Sequence, residues 1–324
     1  MPLTFDYPLD ILKTYQGCNP RPSDFDPFWD NSLAEMHSTE PDIELIPAQF
    51  QVPGAECFHL YFNGVGGARV HAKLLRPKPS SGPHPAVLMF HGYSIDSGDW
   101  SDKLNYVAQG FTVAALDCRG QGGLSIDEGG VRGNTLHGHI IRGLDDAING
   151  SPEKLLFRQI FLDTAQLARI IMEMPDVDPK RVGAMGSSQG GALTVACAAL
   201  EPQIKRAAPM YPFLSDYKRV WDMDQAKEAY LELKDYFRLF DPTHAREDII
   251  FEKLGYIDIQ FLAPRIMADV LWGIGLADTI CPPSSQFAVY NKVTSSKTMV
   301  IYPDFEHEWI PDFQDQTFQF LIGL

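Results

Sequence analysis

The chain has 324 residues, and the apolar share of 45% is enough for a large buried core. Lys and Arg number 27 against 42 Asp and Glu, and the resulting net charge of −15 disfavours nucleic acid and anionic membrane surfaces as partners. No run approaches the ~20 apolar residues of a membrane helix, and the N-terminus does not have the pattern of a signal peptide. The five cysteines lack metal or redox spacing, so we expect a reducing, cytoplasmic location.

No long linker divides the sequence, and we expect residues 1–324 to form a single domain whose first 80 residues are an extension. Asp26 is predicted to cap a helix there, with Pro27 at its first position. Three partly alternating segments bounded by turn residues then predict antiparallel strands, at residues 43–50, 57–64 and 68–77.

The pattern changes at Pro85 to short, nearly continuous apolar runs, which are typical of buried parallel strands. The runs are residues 85–91, 111–117, 181–186, 206–212, 265–275 and 298–303. Helical stretches separate them, at residues 99–109, 155–174, 189–201, 283–292 and from about 309. This alternation predicts an α/β fold with a mostly parallel sheet, helices on both faces and ligands beyond the carboxyl ends of the strands.

A charged helical segment at about 214–258 lies between the fourth and fifth of these strands and is not needed to complete the sheet. Such an insertion can serve as a lid over a site, as a surface element or as an oligomer contact. The sequence leaves these alternatives open.

The stretch "VGAMGSSQGGA" contains the G-x-S-x-G pattern of a nucleophile on a tight turn between a strand and a helix. Gly186, Ser188 and Gly190 match it, whereas Ser187 would need glycine at Met185 and Gln189. The alternative is a glycine-rich phosphate-binding turn, but neither G-K-[ST] nor G-x-G-x-x-G is present. The flanking strand and apolar helix favour Ser188 as a nucleophile.

A nucleophilic serine needs a histidine base and a carboxylate that orients it, and in this fold they follow the serine as acid and then base. His307 comes after the last predicted strand and is preferred to His244 in the insertion. Asp278 follows the penultimate strand and is preferred to the other carboxylates near these positions, Asp269, Asp304, Glu306 and Glu308.

Two backbone N–H groups are expected to form an oxyanion hole, those of Gln189 and Tyr93. His91 is predicted to be structural because it precedes the nucleophile. Arg119 and Gln121 follow a strand end, where they are suited to bracing loops near the site.

The stretch "HGHIIRGL" contains a possible metal cluster, since His137 and His139 lie near Asp145 and Asp146. Their spacing matches no metal motif, and we predict no metal. A loop near the site or a subunit contact is the favoured interpretation of this stretch.

Together "GSSQGG", "DCRGQGG", "ADTICPPS" and "YPDFEHE" resemble carbohydrate esterase family seven, the acetyl xylan esterases and cephalosporin C deacetylases. The family motifs are R-G-Q, G-x-S-Q-G and a His-Glu pair near the C-terminus. They occur here in order as residues 119–121, 186–190 and 307–308, and the resemblance runs from about Pro8 to the end.

The resemblance implies an α/β-hydrolase fold, a Ser188–His307–Asp278 triad and an oxyanion hole formed by Tyr93 and Gln189. It also implies a cytoplasmic, cofactor-free homo-hexamer whose sites face an inner chamber. The implied substrates are short acetylated sugars, such as xylo-oligosaccharides, and cephalosporin C, while long xylan would not enter.

Two other functions remain as alternatives. A peptidase of the prolyl-oligopeptidase type shares this fold and triad, but the extension is too short for the propeller of those enzymes. A non-catalytic binding protein with the same fold predicts an incomplete triad.

Overall fold

A computed structural model of the chain describes residues 5–79, 82–127 and 139–324. The strands in these ranges are β1 (Glu44–Pro47), β2 (Ala55–Asn63), β3 (Arg69–Pro77), β4 (His84–Phe90), β5 (Thr112–Asp117), β6 (Val177–Ser187), β7 (Arg206–Met210), β8 (Asp269–Gly275) and β9 (Lys297–Tyr302). They form one sheet in the order β1-β2-β3-β5-β4-β6-β7-β8-β9. The pairs from β1 through β3 to β5 are antiparallel, and all the others are parallel.

The helices of the described residues are α1 (Leu9–Leu12), α2 (Phe25–Ser38), α3 (Leu104–Val107), α4 (Leu144–Ile148), α5 (Leu156–Met172), α6 (Gln189–Leu200), α7 (Tyr217–Asp222), α8 (Leu231–Phe240), α9 (Glu247–Leu254), α10 (Ile259–Leu262), α11 (Pro283–Tyr290) and α12 (Phe313–Ile322). Short 3-10 turns occur at Val65–Gly67, Ser101–Lys103, Pro152–Lys154, Glu228–Tyr230, Gly255–Ile257 and Ala263–Arg265. In this part of the chain no helix combines the length and apolar character needed to cross a membrane.

The two faces of the sheet have separate apolar cores because successive side chains of a strand point to opposite faces. In β4, Leu88 joins the core under α5 and α6, while Val87 joins the core under α3 and α12. Every residue of α6 is buried, as its apolar sequence predicted. The predicted α/β fold with helices on both faces is therefore confirmed, and the N-terminal strands extend the same sheet.

Several element boundaries differ from those predicted. The helix expected at 99–109 is a 3-10 turn followed by the single turn of α3, and the strand expected from residue 265 begins at Asp269. Pro264 lies in a 3-10 turn just before that strand, and proline cannot donate a ladder hydrogen bond. The C-terminal helix expected from about 309 begins at Phe313, after Pro311 and an Asp312 with φ of 70°.

The prediction that Asp26 caps α2 is wrong. The helix begins at Phe25, and the carboxylate of Asp26 forms ion pairs with Arg21 at 2.6 Å and Arg265 at 3.1 Å. The residue at the N-cap is Asp24, but its carboxylate accepts a hydrogen bond from the Tyr256 hydroxyl instead of capping the helix. Tertiary partners thus outcompete the local cap.

The helical insertion, residues 214–258, contributes α7, α8 and α9 and no strand, as predicted. Its helix α8 contacts the segment that contains α4, since the Tyr236 hydroxyl donates to Asp145 at 2.9 Å. Arg246 approaches the same carboxylate at 3.5 Å. These two contacts pack the insertion against α4.

Candidate active site

Ser188 lies on the sharp turn between β6 and α6 with φ of 58° and ψ of −120°, an uncommon conformation for a residue with a side chain. Three backbone hydrogen bonds hold it there. Its N–H donates to the Met210 carbonyl at 3.0 Å, and its own carbonyl accepts from Ala192 and Phe213. The surrounding strands therefore enforce the strained turn that presents the Ser188 hydroxyl.

The glycines around Ser188 are required by close backbone approaches. A Cβ at Gly190 would lie 2.1 Å from the carbonyl oxygen of Phe90, and one at Gly186 would lie 2.5 Å from the carbonyl oxygen of Gly190. Both distances are well inside van der Waals contact. The spacing that distinguished Ser188 from Ser187 thus has the steric reason that the sequence suggested.

The structure brings Ser188, His307 and Asp278 together at the carboxyl ends of β6, β9 and β8. His307 Nε2 lies 2.9 Å from Ser188 Oγ, and His307 Nδ1 lies 2.8 Å from Asp278 Oδ2. The other carboxylate oxygen of Asp278 accepts the backbone N–H groups of Ile280 and Cys281, and the residue is fully buried. This arrangement directs the Nδ1 proton toward Asp278 and leaves Nε2 as the acceptor for the serine proton.

Two of the rejected competitors lie away from Ser188. Asp269 is the exposed first residue of β8, at the amino end of the sheet. His244 packs against Trp221 and Phe237 in the insertion and pairs with Glu247. Neither side chain is part of the Ser188 cluster.

The two predicted oxyanion donors belong to different elements of the fold. Gln189 is the first residue of α6, and Tyr93 lies in the loop after β4, residues 91–100, hereafter the β4 loop. Within the described residues neither backbone N–H donates to an acceptor. Both amides are therefore unpaired within the described residues, and the helix dipole at the start of α6 favours negative charge near Gln189.

Gln121 connects the two elements that carry these donors. Its side-chain amide pairs reciprocally with that of Gln189, at 2.8 and 3.1 Å, and its Oε1 accepts the backbone N–H of Ser94 at 2.9 Å. The side chain thus bridges α6 and the β4 loop. His91 supports the same loop, since its Nε2 accepts the Cys118 N–H at 3.0 Å.

Arg119 points away from Ser188 into the core. Its guanidinium forms a bidentate ion pair with the buried Asp163 at 2.6 and 2.8 Å, and it also donates to Val65 and Gln159. The residue therefore fixes the start of the loop after β5, residues 118–127, hereafter the β5 loop, against α5 and the extension.

A cavity of about 410 Å³ opens in front of Ser188 and His307. Beyond those two side chains, its lining includes Met89, Ile95, Ser97, Lys103, Ala115, Met185 and Tyr211. Tyr211 packs its ring on His307 at a centroid distance of 4.5 Å and has φ of 31°. Burial raises the pKa of Tyr211 to about 12, so this tyrosine packs on His307 as a neutral group.

Sequence reasoning missed Tyr211 and also Glu232, a buried residue of α8 that accepts a hydrogen bond from the Tyr93 hydroxyl. For Tyr211 the available signal was its place directly after β7, at the carboxyl end of the sheet. For Glu232 no local signal exists, because it lies in a charged helix far from Tyr93 in the sequence.

One group of metal-ligating side chains occurs among the described residues, where Asp278, Cys281 and His307 have donor atoms within 4.8 Å of one another. Asp278 and His307 already bond to each other, and burial raises the pKa of the Cys281 thiol. Of the histidine pair considered from the sequence, His137 lies outside the described residues. The His139 ring bonds to the Ser94 hydroxyl at 3.0 Å and packs on Tyr93.

Two solved structures similar to this chain share its fold and its length. The sequence model of the acetyl xylan esterase family matches residues 1–324. An acetyl xylan esterase structure from a Thermoanaerobacterium species is 60% identical with a TM-score of 0.95, covering 98% of this chain and 99% of that one. An acetyl xylan esterase structure from a Paenibacillus species is 30% identical with a TM-score of 0.92 and the same coverage.

A curated relative, an acetyl esterase from Xylanibacter ruminicola, is 26% identical over 304 residues and 92% of this chain. The chain spans about 65% of that relative's length. The family match over the full sequence and the 60% identical structure both indicate the acetyl xylan esterases. The chain therefore belongs to the acetyl xylan esterase family of carboxylic ester hydrolases.

Proposed function

We propose that this protein is a serine esterase that removes acetyl groups from short acetylated sugars, including xylo-oligosaccharides, and from cephalosporin C. The observation that carries the proposal is the continuous hydrogen-bonded chain from Ser188 Oγ through His307 to Asp278 at the mouth of a cavity. Membership of the acetyl xylan esterase family supports the acetyl group as the acyl part.

In the proposed reaction Ser188 Oγ forms a bond to the acetyl carbonyl carbon while His307 Nε2 accepts the hydroxyl proton. The carbonyl oxygen becomes an anion that accepts hydrogen bonds from the N–H groups of Tyr93 and Gln189. Collapse of this intermediate breaks the bond to the sugar oxygen, which takes the proton from His307. Water, deprotonated by His307, then attacks the acetyl-serine. Acetate is released as the bond to Ser188 Oγ breaks and His307 returns the proton to that oxygen.

The size and lining of the cavity support a small acyl group next to a small leaving group. A volume of about 410 Å³ exceeds what an acetyl group alone requires, and Met89, Ala115 and Met185 provide apolar contact for a methyl group. The intact chain from serine to carboxylate also counts against the alternative of a non-catalytic binding protein, which predicts an incomplete set.

We also propose, from the family resemblance, that the enzyme is a cytoplasmic homo-hexamer that works without a cofactor. All five cysteines are free thiols, which supports a reducing compartment. Sedimentation velocity is expected to give the mass of six chains, and a mass of one or two chains would exclude the hexamer.

The nucleophile is tested by comparing Ser188→Ala with Ser187→Ala on p-nitrophenyl acetate. We expect Ser188→Ala to abolish turnover and Ser187→Ala to retain most of it, because only Ser188 Oγ contacts His307. Intact mass after a short incubation should show one added acetyl group on the wild type and none on Ser188→Ala. The reverse pattern of activities would exclude the assignment.

The substrate is tested with the purified wild type on acetylated xylo-oligosaccharides, cephalosporin C, longer-chain esters and an aminoacyl anilide. We expect acetate release from the first two, weaker turnover of longer acyl chains and no anilide cleavage. Preferential cleavage of the anilide would instead favour the peptidase alternative.

A further inference from the structure

Glu232 is a buried carboxylate of α8 whose acceptor oxygens face two separate segments. One oxygen accepts the hydrogen bond of the Tyr93 hydroxyl, and the other accepts the backbone N–H of Ile141 at 3.2 Å. The Tyr93 oxygen in turn accepts the backbone N–H of His139 at 2.9 Å. Only 3% of the Glu232 surface is exposed, so the carboxylate is removed from solvent and committed to these contacts.

The tyrosine that Glu232 holds is enclosed on its other sides as well. Its ring lies between the rings of His139 and Phe213, with centroid distances of 4.8 and 5.5 Å and edge-to-face geometry. The same ring belongs to the residue whose backbone N–H is the proposed oxyanion donor. Fixing the hydroxyl end of Tyr93 therefore restricts the rotation of the peptide plane at its other end.

Burying a carboxylate costs free energy, because a charge is poorly solvated in the protein interior. Burial raises the pKa of Glu232 to about 7, and no cation among the described residues compensates it directly. The apolar neighbours Leu233, Tyr236 and Phe237 already provide the packing of α8. The carboxylate adds to this packing the hydrogen bonds with Tyr93 and Ile141.

We propose that Glu232 is a positioning residue of the esterase and that the helical insertion serves to hold the Tyr93 amide in the geometry that binds the oxyanion. This inference rests on the proposed function. For residues 214–258 the sequence left three alternatives open: a lid, a surface element or an oligomer contact. The proposal gives this insertion a positioning role beside the active site.

The test uses the full-length enzyme with Glu232→Gln, Tyr93→Phe and the double variant, assayed on p-nitrophenyl acetate. Both single variants keep the backbone N–H of Tyr93. Tyr93→Phe removes the hydroxyl that contacts Glu232 and the His139 N–H, whereas Glu232→Gln weakens the contact with the Tyr93 hydroxyl. We expect each to lower kcat by about tenfold with KM within about twofold, because a donor displaced from the oxyanion weakens only transition-state binding. The double variant should lose little more than either single variant, since both act through one contact.

Glu228→Gln is the matched control, because Glu228 is exposed and lies just before α8. It should leave kcat unchanged. Circular dichroism and thermal unfolding of all variants separate a loss of fold from a loss of positioning. An unchanged kcat in both single variants, losses that multiply in the double variant, or an effect confined to KM would overturn the proposal.

A second measurement keeps this inference distinguishable from the proposed function. The rate of labelling by a fluorophosphonate probe depends on the oxyanion donors but not on acetyl-ester specificity. We expect labelling of Glu232→Gln to slow by about the same factor as kcat. If the wild type is labelled but hydrolyses no acetyl ester, the substrate proposal fails while the slower labelling of Glu232→Gln still supports positioning. Equal labelling rates would exclude it.

Discussion

Among the described residues, two Asp–His pairs are alike in their local chemistry. Asp278 bonds to His307 Nδ1 at 2.8 Å, and Asp117 bonds to His71 Nδ1 at 2.6 Å. Each carboxylate lies at or beyond the carboxyl end of a parallel strand and also accepts two backbone N–H groups, those of Ile280 and Cys281 in one case and Ser97 and Leu124 in the other. Judged by the carboxylate and the proximal ring nitrogen, the two pairs are equivalent.

The pairs differ at the far ring nitrogen. His307 Nε2 faces Ser188 Oγ at the cavity, whereas His71 Nε2 faces His59 Nδ1 at 2.9 Å and the His71 side chain has no exposed surface. An imidazole held by a carboxylate is therefore not a reactive group by itself. The nucleophile and the open cavity beside it make the His307 pair suitable for catalysis.

The buried pair has a different use. Burial alone would raise the pKa of Asp117, but hydrogen bonds from His71, Leu124 and Ser97 hold it well below the usual value. Ser97 belongs to the β4 loop, which lines the cavity, and Leu124 belongs to the β5 loop, so one carboxylate ties the two loops together. A Cβ at Gly123 would lie 2.1 Å from the Asp117 carboxyl carbon, which explains the glycine there.

The largest expected effect is a difference in kcat between variants of the two carboxylates, Asp278 and Asp117. Asp278→Asn should lower kcat on p-nitrophenyl acetate by about ten-thousand-fold, because an amide at this position favours the wrong His307 tautomer. Asp117→Asn should instead lower the free energy of unfolding by about 2–4 kcal/mol while kcat stays within about tenfold. Steady-state kinetics and urea unfolding of both variants decide the matter, and a larger kcat loss in Asp117→Asn would reverse the two roles.

A smaller effect is expected where the β5 loop meets the proposed oxyanion site. Gln121→Ala removes the bridge between Gln189 and Ser94 and should lower kcat by about tenfold at constant KM. Gln159→Ala is a control, because Gln159 bonds to Arg119 away from the cavity. Equal kcat values for the two variants would argue against Gln121 as a link between the donors.

The third expectation concerns acid stability. Because the pKa of Asp117 is lower in the folded than in the unfolded chain, its ionised form stabilises the fold above about pH 4, and this contribution is lost as the pH falls further. Asp117→Asn has no such group to titrate. The melting temperatures of wild type and variant should therefore differ most near about pH 6, and the gap should narrow steadily as the pH falls below about 4. A gap that widens on acidification would contradict the assignment.

The contacts from Asp117 through His71 to His59 form a hydrogen-bonded chain, hereafter the buried relay. The smallest effect is expected at His59, the half-buried outer member of this relay. His59→Gln should lower the free energy of unfolding by about 1 kcal/mol, since one hydrogen bond to His71 is weakened. It should leave kcat unchanged, because the relay ends away from Ser188. A clear loss of kcat, measured beside an unchanged thermal midpoint, would show that the two pairs communicate.

Much of the fold was accessible from sequence because its signals are local. Continuous apolar runs predicted the parallel strands, and the glycine spacing predicted the turn at Ser188. Asp278 and His307 followed from chain order within that fold, and the structure places both within hydrogen-bonding distance of the predicted partners. These patterns depend on residues close in sequence or on the order of whole elements.

The residues that sequence reasoning missed or misjudged depend on contacts between distant segments. Glu232 and Tyr93 are separated by 139 positions, and the capping prediction for Asp26 failed because Arg265, 239 positions away, binds its carboxylate. The buried relay likewise needs the register of β2, β3 and β5, which no single strand pattern specifies.

The sequence by itself determined the α/β architecture, the strained serine turn and the three side chains that meet there. Backbone sterics and hydrophobic periodicity act over a few residues, so they can be read directly along the chain. Only the tertiary structure decided which of two similar Asp–His pairs faces a nucleophile and which carboxylate holds Tyr93. Those outcomes depend on how helices and loops dock across the sheet, where burial and geometry select one partner among many of the same chemical type.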